Sequence, residues 1–312
     1  IFSGVMENNL STGAPVGLVI PNVDIEDIHI QQYREYKDIV RPGHAEYTFF
    51  KKYGEYADWV GAGRASGRET ASRVAGGAIA KIILDKMGID VIGFVTESHG
   101  IKAGPISYEL AKQNYRKNDL NCPDLEAAKI MIEDILKVKE EGDTCGGVVE
   151  VIARGVPAGL GEPVFDKLSA TIAHGLMSIG AIKGIEFGAG FKHAEMKGSE
   201  SNDEPYYDSE TGRVRFKTNN AGGFLGGITN GEEIRIRVAV KPTPTISIKQ
   251  STVDMNKLEN TVLQPITRRD PSLCPRIYPV CEAMVRIAIL DAIYMAKGYG
   301  AVAGLSEKWE KV

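Results

Sequence analysis

Between residues 66 and 153 the apolar side chains switch period from helix to strand and back, and this constrains the fold more than any single motif. Ala71, Val74, Ala75, Ala78, Ile79, Ile82 and Ile83 recur at helical spacing, which predicts a helix over 66–87 that stops before Gly88. Residues 89–95 then read as a buried strand. Residues 123–141 repeat the helical pattern through Leu125, Ala128, Ile132, Ile135 and Leu136 and end at Gly142, and 148–153 form a second strand. The second half restates this order loosely, with a helix near 165–179, a strand over 182–187, an alternating strand over 234–240 and a long helix from 280 to 296. The pattern predicts an α+β protein in which helices pack against antiparallel sheet. With 312 residues at 43% hydrophobic content, the chain can bury a core in one large domain or two smaller ones.

Residues 192–217 are polar, rich in Asp, Glu and Ser, and include Tyr206 and Tyr207, so a mobile surface loop is expected there. The longest apolar runs are broken by Lys, Arg or Asp short of a bilayer's thickness, and no signal peptide pattern opens the chain; the expected location is the cytoplasm, away from any membrane. Cys122, Cys145, Cys274 and Cys281 lack the close pairing of a zinc site and are expected to be reduced and structural, with no metal bound. A net charge of −4 argues against nucleic acid as a partner, so any anion binding must come from local focusing.

That focusing is visible over residues 41–73, where six Lys or Arg meet four acids. Within it, residues 63–73 gather glycines, hydroxyls and Arg64, Arg68 and Arg73 where a helix is expected to begin. Helix starts present unpaired N–H groups, glycine lets a ligand approach the backbone, and arginine forks match carboxylate and phosphate oxygens. The same residues also fit an ordinary helix cap with a solvated face. Residues 219–227 add a second glycine-rich stretch, either a hinge or a place where backbone packs on a cofactor. It lacks the setting of a dinucleotide fingerprint, and no Gly-Lys-Ser phosphate loop is present.

Four segments, Arg41-Pro42-Gly43-His44, Gly63 to Arg73, Asn219 to Gly227 and Arg268-Arg269-Asp270-Pro271, together resemble chorismate synthase. The likeness runs from Ile1 to about Lys297. The family's R-P-G-H-A-D appears as Arg41 to Glu46, its G-R-x-S-x-R-E-T as Gly63 to Thr70, its G-V-P-A-G-L-G-E-P-V-F-D as Gly155 to Asp166, and its E-A-M as Glu282-Ala283-Met284.

The resemblance implies a β-α-β sandwich with helices enclosed between two sheets, a single domain over the chain, and a homotetramer. It implies the anti-1,4 elimination of phosphate from 5-enolpyruvylshikimate 3-phosphate to give chorismate, with reduced FMN required but no net redox change. Whether NAD(P)H serves as reductant on the same protein stays open. Flavin contacts carry over to Arg64, Ala65 and Ser66, to Gly180 and Ala181, to Gly226, to Lys241, Pro242, Thr243, Pro244 and Thr245, and to Arg268. His44 matches the histidine assigned protonation of the reduced flavin, and Asp270 the aspartate that assists its proton chemistry. Arg41, Arg68 and Arg268 are expected to meet the substrate's carboxylates and phosphate.

The sequence departs from the family at Gly180, where Asn is frequent, at Pro244 and Thr245, where two serines are usual, and at Arg269, where many relatives have His. It opens at Ile1 within the family's length, so the G-E-S-H-G motif with a second catalytic histidine is expected before this point, in a longer protein or lost by truncation. Glu97-Ser98-His99-Gly100 looks like that motif but follows a strand in mid-chain and is read as coincidence; His29, His174 and His193 have no supporting constellation. Two other classes remain, a non-catalytic FMN- or anion-binding fragment and a flavin oxidoreductase using the same pocket for net hydride transfer.

Overall fold

The computed structural model describes residues 1–23, 27–60, 63–263 and 270–303, without the side chains of 29, 32 and 297–303. In chain order the elements are α1 (Asp27–Glu35), α2 (Glu46–Tyr53), α3 (Thr70–Lys86), β1 (Asp90–Ser98), β2 (Ile101–Lys102), α4 (Tyr108–Asn114), α5 (Leu125–Glu140), β3 (Gly147–Arg154), α6 (Leu168–Met177) and β4 (Ile182–Phe187). They continue with α7 (Gly198–Ser201), β5 (Pro205–Asp208), β6 (Arg213–Phe216), β7 (Phe224–Leu225), β8 (Ile228–Thr229), β9 (Ile234–Val240), β10 (Gln250–Asp254), β11 (Glu259–Leu263) and α8 (Cys274–Ala303). The chain divides into two compact units, residues 1–75 with 244–269 and residues 76–243 with 270–312.

The larger unit holds a five-stranded sheet in the order β2-β1-β3-β9-β4, antiparallel throughout, as expected. Val91 and Val95 of β1 belong to one large core cluster with Leu84 of α3, Met131 of α5, Ile172 of α6 and Ile289 of α8. Ile92 and Phe94 join a second cluster with Ile152, Ile106 and Ala111. Successive residues of a strand face opposite sides, so β1 reads as an unbroken apolar run because both of its sides are covered. Gly77 of α3 carries no Cβ where one would stand 2.3 Å from the Ala283 Cβ, and this lets α3 and α8 meet backbone to side chain.

Strand β2 is too short to cover β1, and the exposed edge is closed by other means. Glu282 of α8 accepts from the Gly93 N–H at 2.8 Å, Arg286 donates to the Val91 carbonyl at 2.5 Å, and the Val95 N–H donates to Asn121 O at 3.1 Å. Glu282 and Arg286 also form a buried ion pair at 3.0 Å. Burial pushes the Glu282 carboxyl above the ordinary range, against the pull of Arg286. An edge occupied in this way offers no free ladder to another strand.

Two sequence expectations shift. The helix predicted over 66–87 begins at Thr70, because Ser66 adopts an extended conformation and its side chain accepts from the Arg68 N–H, leaving short 3-10 turns at Gly63–Ala65 and Gly67–Glu69. Residues 192–217, expected to be a loop, contain the β5–β6 hairpin, in register from Pro205 opposite Phe216 to Asp208 opposite Arg213. Tyr206 and Tyr207 remain largely exposed on it, so the hairpin leaves no apolar period to read.

The smaller unit contains α1, α2 and the β10–β11 hairpin. Residues 38–40 run beside the hairpin, with Val40 N donating to Val253 O at 3.1 Å and Met255 N to Asp38 O at 2.8 Å. Among its described residues, Leu263 is the one buried apolar side chain.

Candidate functional site

In the smaller unit, Pro42 and Gly43 dictate the geometry of the first motif. His44 N donates to Arg41 O at 3.2 Å and Gly43 has φ of 75°, the pattern of a type II turn with proline and glycine at its two central positions. The turn is anchored by the pairing of 38–40 with β10, which also brings the segment before β10 close. His44 Nε2 lies 2.9 Å from Thr245 Oγ1, joining two expected site residues that are 201 positions apart in sequence.

Arg41 is half-buried and donates through both Nε and Nη2 to Glu46 Oε1, with the Tyr33 ring 5.9 Å from its guanidinium. The ion pair fixes the direction of the guanidinium at the base of the turn. Arg64 and Arg68, on the two 3-10 turns, are exposed and have no side-chain partner among the described residues. Arg73 instead pairs with Glu69 one helical turn away at 2.9 Å. The basic groups expected at a helix start are therefore two exposed arginines on tight turns, ahead of the α-helix itself.

In the larger unit, several expected residues gather at one end of the sheet. Lys241 follows β9 directly, and its N–H donates to Ala181 O at 2.9 Å just before β4. Ala181 adopts φ of 75°, an uncommon value for a residue with a Cβ. Thr144 Oγ1 donates to Thr243 O at 2.7 Å, and the next residue, Cys145, donates its N–H to Pro271 O at 2.8 Å. The start of β3 thus holds both the 241–243 segment and Asp270-Pro271. Asp270 Oδ1 accepts from Arg276 Nη2 at 2.8 Å. Arg268 and its neighbour Arg269 lie outside the described residues.

Gly226 stands apart from that group. It turns the β7–β8 hairpin with φ of 60°, and Phe224 of that hairpin stacks on Phe187 with centroids 5.5 Å apart. Phe187 is the last residue of β4, whereas Ala181 precedes its first, so the two positions lie at opposite ends of a six-residue strand, about 20 Å of chain. The rest of the glycine-rich stretch packs on the protein itself: a Cβ on Gly222 would stand 2.2 Å from Gly188 N, and one on Gly223 2.8 Å from Glu233 O. Those glycines serve a backbone-to-backbone contact, while Gly226 faces open space.

The residues at the sheet end suit a cofactor with a phosphate tail on two grounds. Thr243 Oγ1 is buried without a hydrogen-bond partner, and a Cβ added at Gly180 would meet nothing within 4 Å, so a planar ring could approach the backbone there. The Lys241 ammonium is pushed below the ordinary lysine value, by burial first and by the nearby Lys183 second.

Thr144, Cys145 and Lys183 have no motif of their own; only their pairing partners in space reveal them. His99, in the segment Glu97-Ser98-His99-Gly100, takes φ of 48° in the tight β1–β2 turn and pairs with Asp134 at 2.9 Å. His193 is held at both ring nitrogens, by Ser201 Oγ at 2.9 Å and Asn220 O at 3.1 Å, and anchors the glycine-rich stretch. All four cysteines are free and buried; burial pushes the Cys122 and Cys274 thiols up to about 11. No group of metal-ligating side chains is found among the described residues, and no helix of them is long and apolar enough to cross a membrane.

The family model described as chorismate synthase matches residues 1–294. The chain is 71% identical over 314 aligned residues to the chorismate synthase of Acetivibrio thermocellus, covering 100% of this chain and 80% of that protein. It is 49% identical to the chorismate synthase of Methanosarcina barkeri, covering 93% of this chain and 78% of that one, and 47% identical to that of Archaeoglobus fulgidus, covering 95% and 80%. A solved crystal structure of chorismate synthase superposes with a TM-score of 0.65 at 34% identity, over 79% of this chain and 69% of that chain. This chain belongs to the chorismate synthase family.

Proposed function

We propose that the chain performs its family's reaction, the anti-1,4 elimination of phosphate from 5-enolpyruvylshikimate 3-phosphate to give chorismate, as a carbon–oxygen lyase with reduced FMN. One observation carries this reading: in a chain 71% identical throughout to a chorismate synthase, Ala181, Lys241, Thr243 and Asp270, named from distant motifs, converge on one end of one sheet. Held there, reduced FMN would supply electron density to the elimination with no net redox change.

The chain's own residues have separable parts in this. His44 holds a proton on imidazole, the side chain whose ordinary titration lies near neutrality, and the Thr245 hydroxyl at 2.9 Å orients the ring for its delivery. Arg64 and Arg68, free of internal partners among the described residues, offset the carboxylates and phosphate of the substrate, together with Arg41 and Arg268. The Glu46 carboxylate keeps Arg41 aimed. Lys241 and the Thr243 hydroxyl hold the flavin's phosphate tail, Gly180, Ala181, Ala65 and Ser66 give its ring access to the backbone, and Pro242, Pro244 and Gly226 complete the contacts. Asp270, paired with Arg276, assists proton movement. Fixing these groups in advance is what lets binding lower the barrier.

The reading extends to a β-α-β sandwich acting as one catalytic domain, a homotetramer, and the cytoplasm. The test is anaerobic phosphate release and chorismate formation from 5-enolpyruvylshikimate 3-phosphate with reduced FMN, using the full protein that carries this chain. Turnover that collapses in His44→Ala supports the synthase. Flavin binding without turnover would leave a binding protein, and steady NAD(P)H consumption without phosphate release would leave an oxidoreductase.

A further inference from the structure

The Arg41–Glu46 pair is lopsided. Arg41 Nε and Nη2 both donate to the same carboxylate oxygen, Oε1, the first at 2.7 Å. The other oxygen, Oε2, is buried and accepts from no donor among the described residues. A carboxylate oxygen closed off from water and left without a donor is costly, and native structures rarely keep one without a reason. In a stretch with six Lys or Arg over residues 41–73, an acceptor without a donor is the exception. The Glu46 side chain is 22% exposed, so it stands at the rim of the smaller unit rather than in a closed core, where a ligand can meet it.

We propose that Glu46 is a substrate-binding residue whose Oε2 accepts a hydrogen bond from the ring hydroxyl of 5-enolpyruvylshikimate 3-phosphate. A carboxylate paired with arginine is acceptor-only, so its ligand must bring a proton donor. The carboxylates and phosphate of this substrate are themselves acceptors, which a carboxylate repels. Of shikimate's ring hydroxyls, phosphate occupies position 3 and the enolpyruvyl ether position 5, which leaves the 4-hydroxyl as the one donor. The pair then reads two features at once, Arg41 the charge of an anionic group and Glu46 the hydroxyl. A site built to bond a hydroxyl strongly rejects a molecule that lacks it, because the buried oxygen is again left without a donor.

The inference rests on the family reading for the identity of the substrate. The test uses the full protein that carries this chain, as wild type and Glu46→Gln, against the substrate and its 4-deoxy analogue. Each Kd is measured by calorimetry with oxidised FMN present, so that no turnover intervenes, and phosphate release is followed separately with reduced FMN. In Glu46→Gln, Arg41 donates and so retains the amide oxygen, which puts the amide NH2 where Oε2 stood and turns an acceptor into a donor with Arg41 still aimed. We expect wild type to bind the substrate roughly tenfold or more tighter than the 4-deoxy analogue, the scale of a hydrogen bond to a charged group, and Glu46→Gln to bind the two within about twofold of each other. Equal losses on both ligands, with the wild-type ratio kept, would reduce Glu46 to a support for Arg41 and overturn the proposal. So would a wild type indifferent to the hydroxyl, or a loss confined to FMN, which would give the oxygen to the flavin. Wild type that shows the expected ratio but releases no phosphate sinks the family reading and leaves the Glu46 comparison readable, whereas wild type that binds neither ligand overturns both.

Discussion

The two units carry expected site residues on very different supports. In the larger one, Ala181, Lys241, Thr243 and Asp270 sit at the end of a sheet in which Phe94, Val149, Val151 and Ile236 are wholly covered. In the smaller one, Arg41, His44, Arg64 and Arg68 are carried by turns, short helices and a two-stranded hairpin, with Leu263 the one buried apolar side chain among the described residues. Precision in the first comes from packing. In the second it comes from local chemistry: a Pro-Gly turn, one carboxylate on Arg41 and one hydroxyl on His44. Few buried apolar contacts mean cheap local opening.

The largest effect that would break this contrast lies in the core. Phe94→Ala should cost about 3–5 kcal/mol of stability in chemical denaturation, whereas Phe50→Ala on the exposed α2 should cost less than about 1 kcal/mol. Equal costs would show that the smaller unit owns a core comparable to the sheet's. Next in size is His44→Ala, which should lower chorismate formation by roughly a hundredfold or more while leaving the melting temperature in place, because the ring and the Thr245 hydroxyl that holds it belong to the same thinly buried frame. Loss of stability together with activity would make His44 a structural residue.

Thr243→Val sharpens the other side of the comparison. Removing a buried hydroxyl that has no internal partner should leave the protein as stable or slightly more so, yet weaken FMN binding by about tenfold, read as a Kd by flavin fluorescence. Unchanged binding would mean that the hydroxyl serves no ligand.

The smallest effect concerns the glycine-rich stretch of the larger unit. Burial works to raise the Asp203 carboxyl, but the Thr218 hydroxyl and the Ala221 and Asn220 N–H groups outweigh it, and the net shift is below the ordinary aspartate value of 3.8. A lowered folded value stabilises above the unfolded value and is lost as the pH falls through the folded one. The stability gap between wild type and Asp203→Asn should therefore close from about pH 5 to about pH 3. A gap that widens on acidification would reverse the sign of this assignment.

The secondary elements were legible where burial stamps a period on the sequence. The strand over 234–240 falls at the expected residues because Ile234, Ile236, Val238 and Val240 alternate there against a core, and that over 182–187 also falls where Ile182, Ile185 and Phe187 marked it. The β5–β6 hairpin was not legible, since its tyrosines and arginines lie in solvent and bury too little to leave a pattern. The helix ahead of residue 280 was not legible, because Pro279 interrupts the helical pattern although it sits inside α8, which begins at Cys274. The site shows the same division. The gathering of glycines and arginines over 41–73 is local in sequence and so was readable, whereas the contacts of His44 with Thr245 and Thr144 with Thr243 join residues 201 and 99 positions apart.

By itself, then, the sequence determined what depends on neighbours along the chain: the alternation of helices and strands, the Pro-Gly turn, the clustered arginines and, through its motifs, the family. Only the tertiary structure decided what depends on neighbours in space. It brought Ala181, Lys241, Thr243 and Asp270 to one end of the sheet, set Gly226 at the far end of β4, and raised Lys183 out of the ladder. The reason is physical: periodicity records which side of an element is buried, but not which element covers it, and a one-residue bulge changes a side chain's direction while leaving hydropathy unchanged.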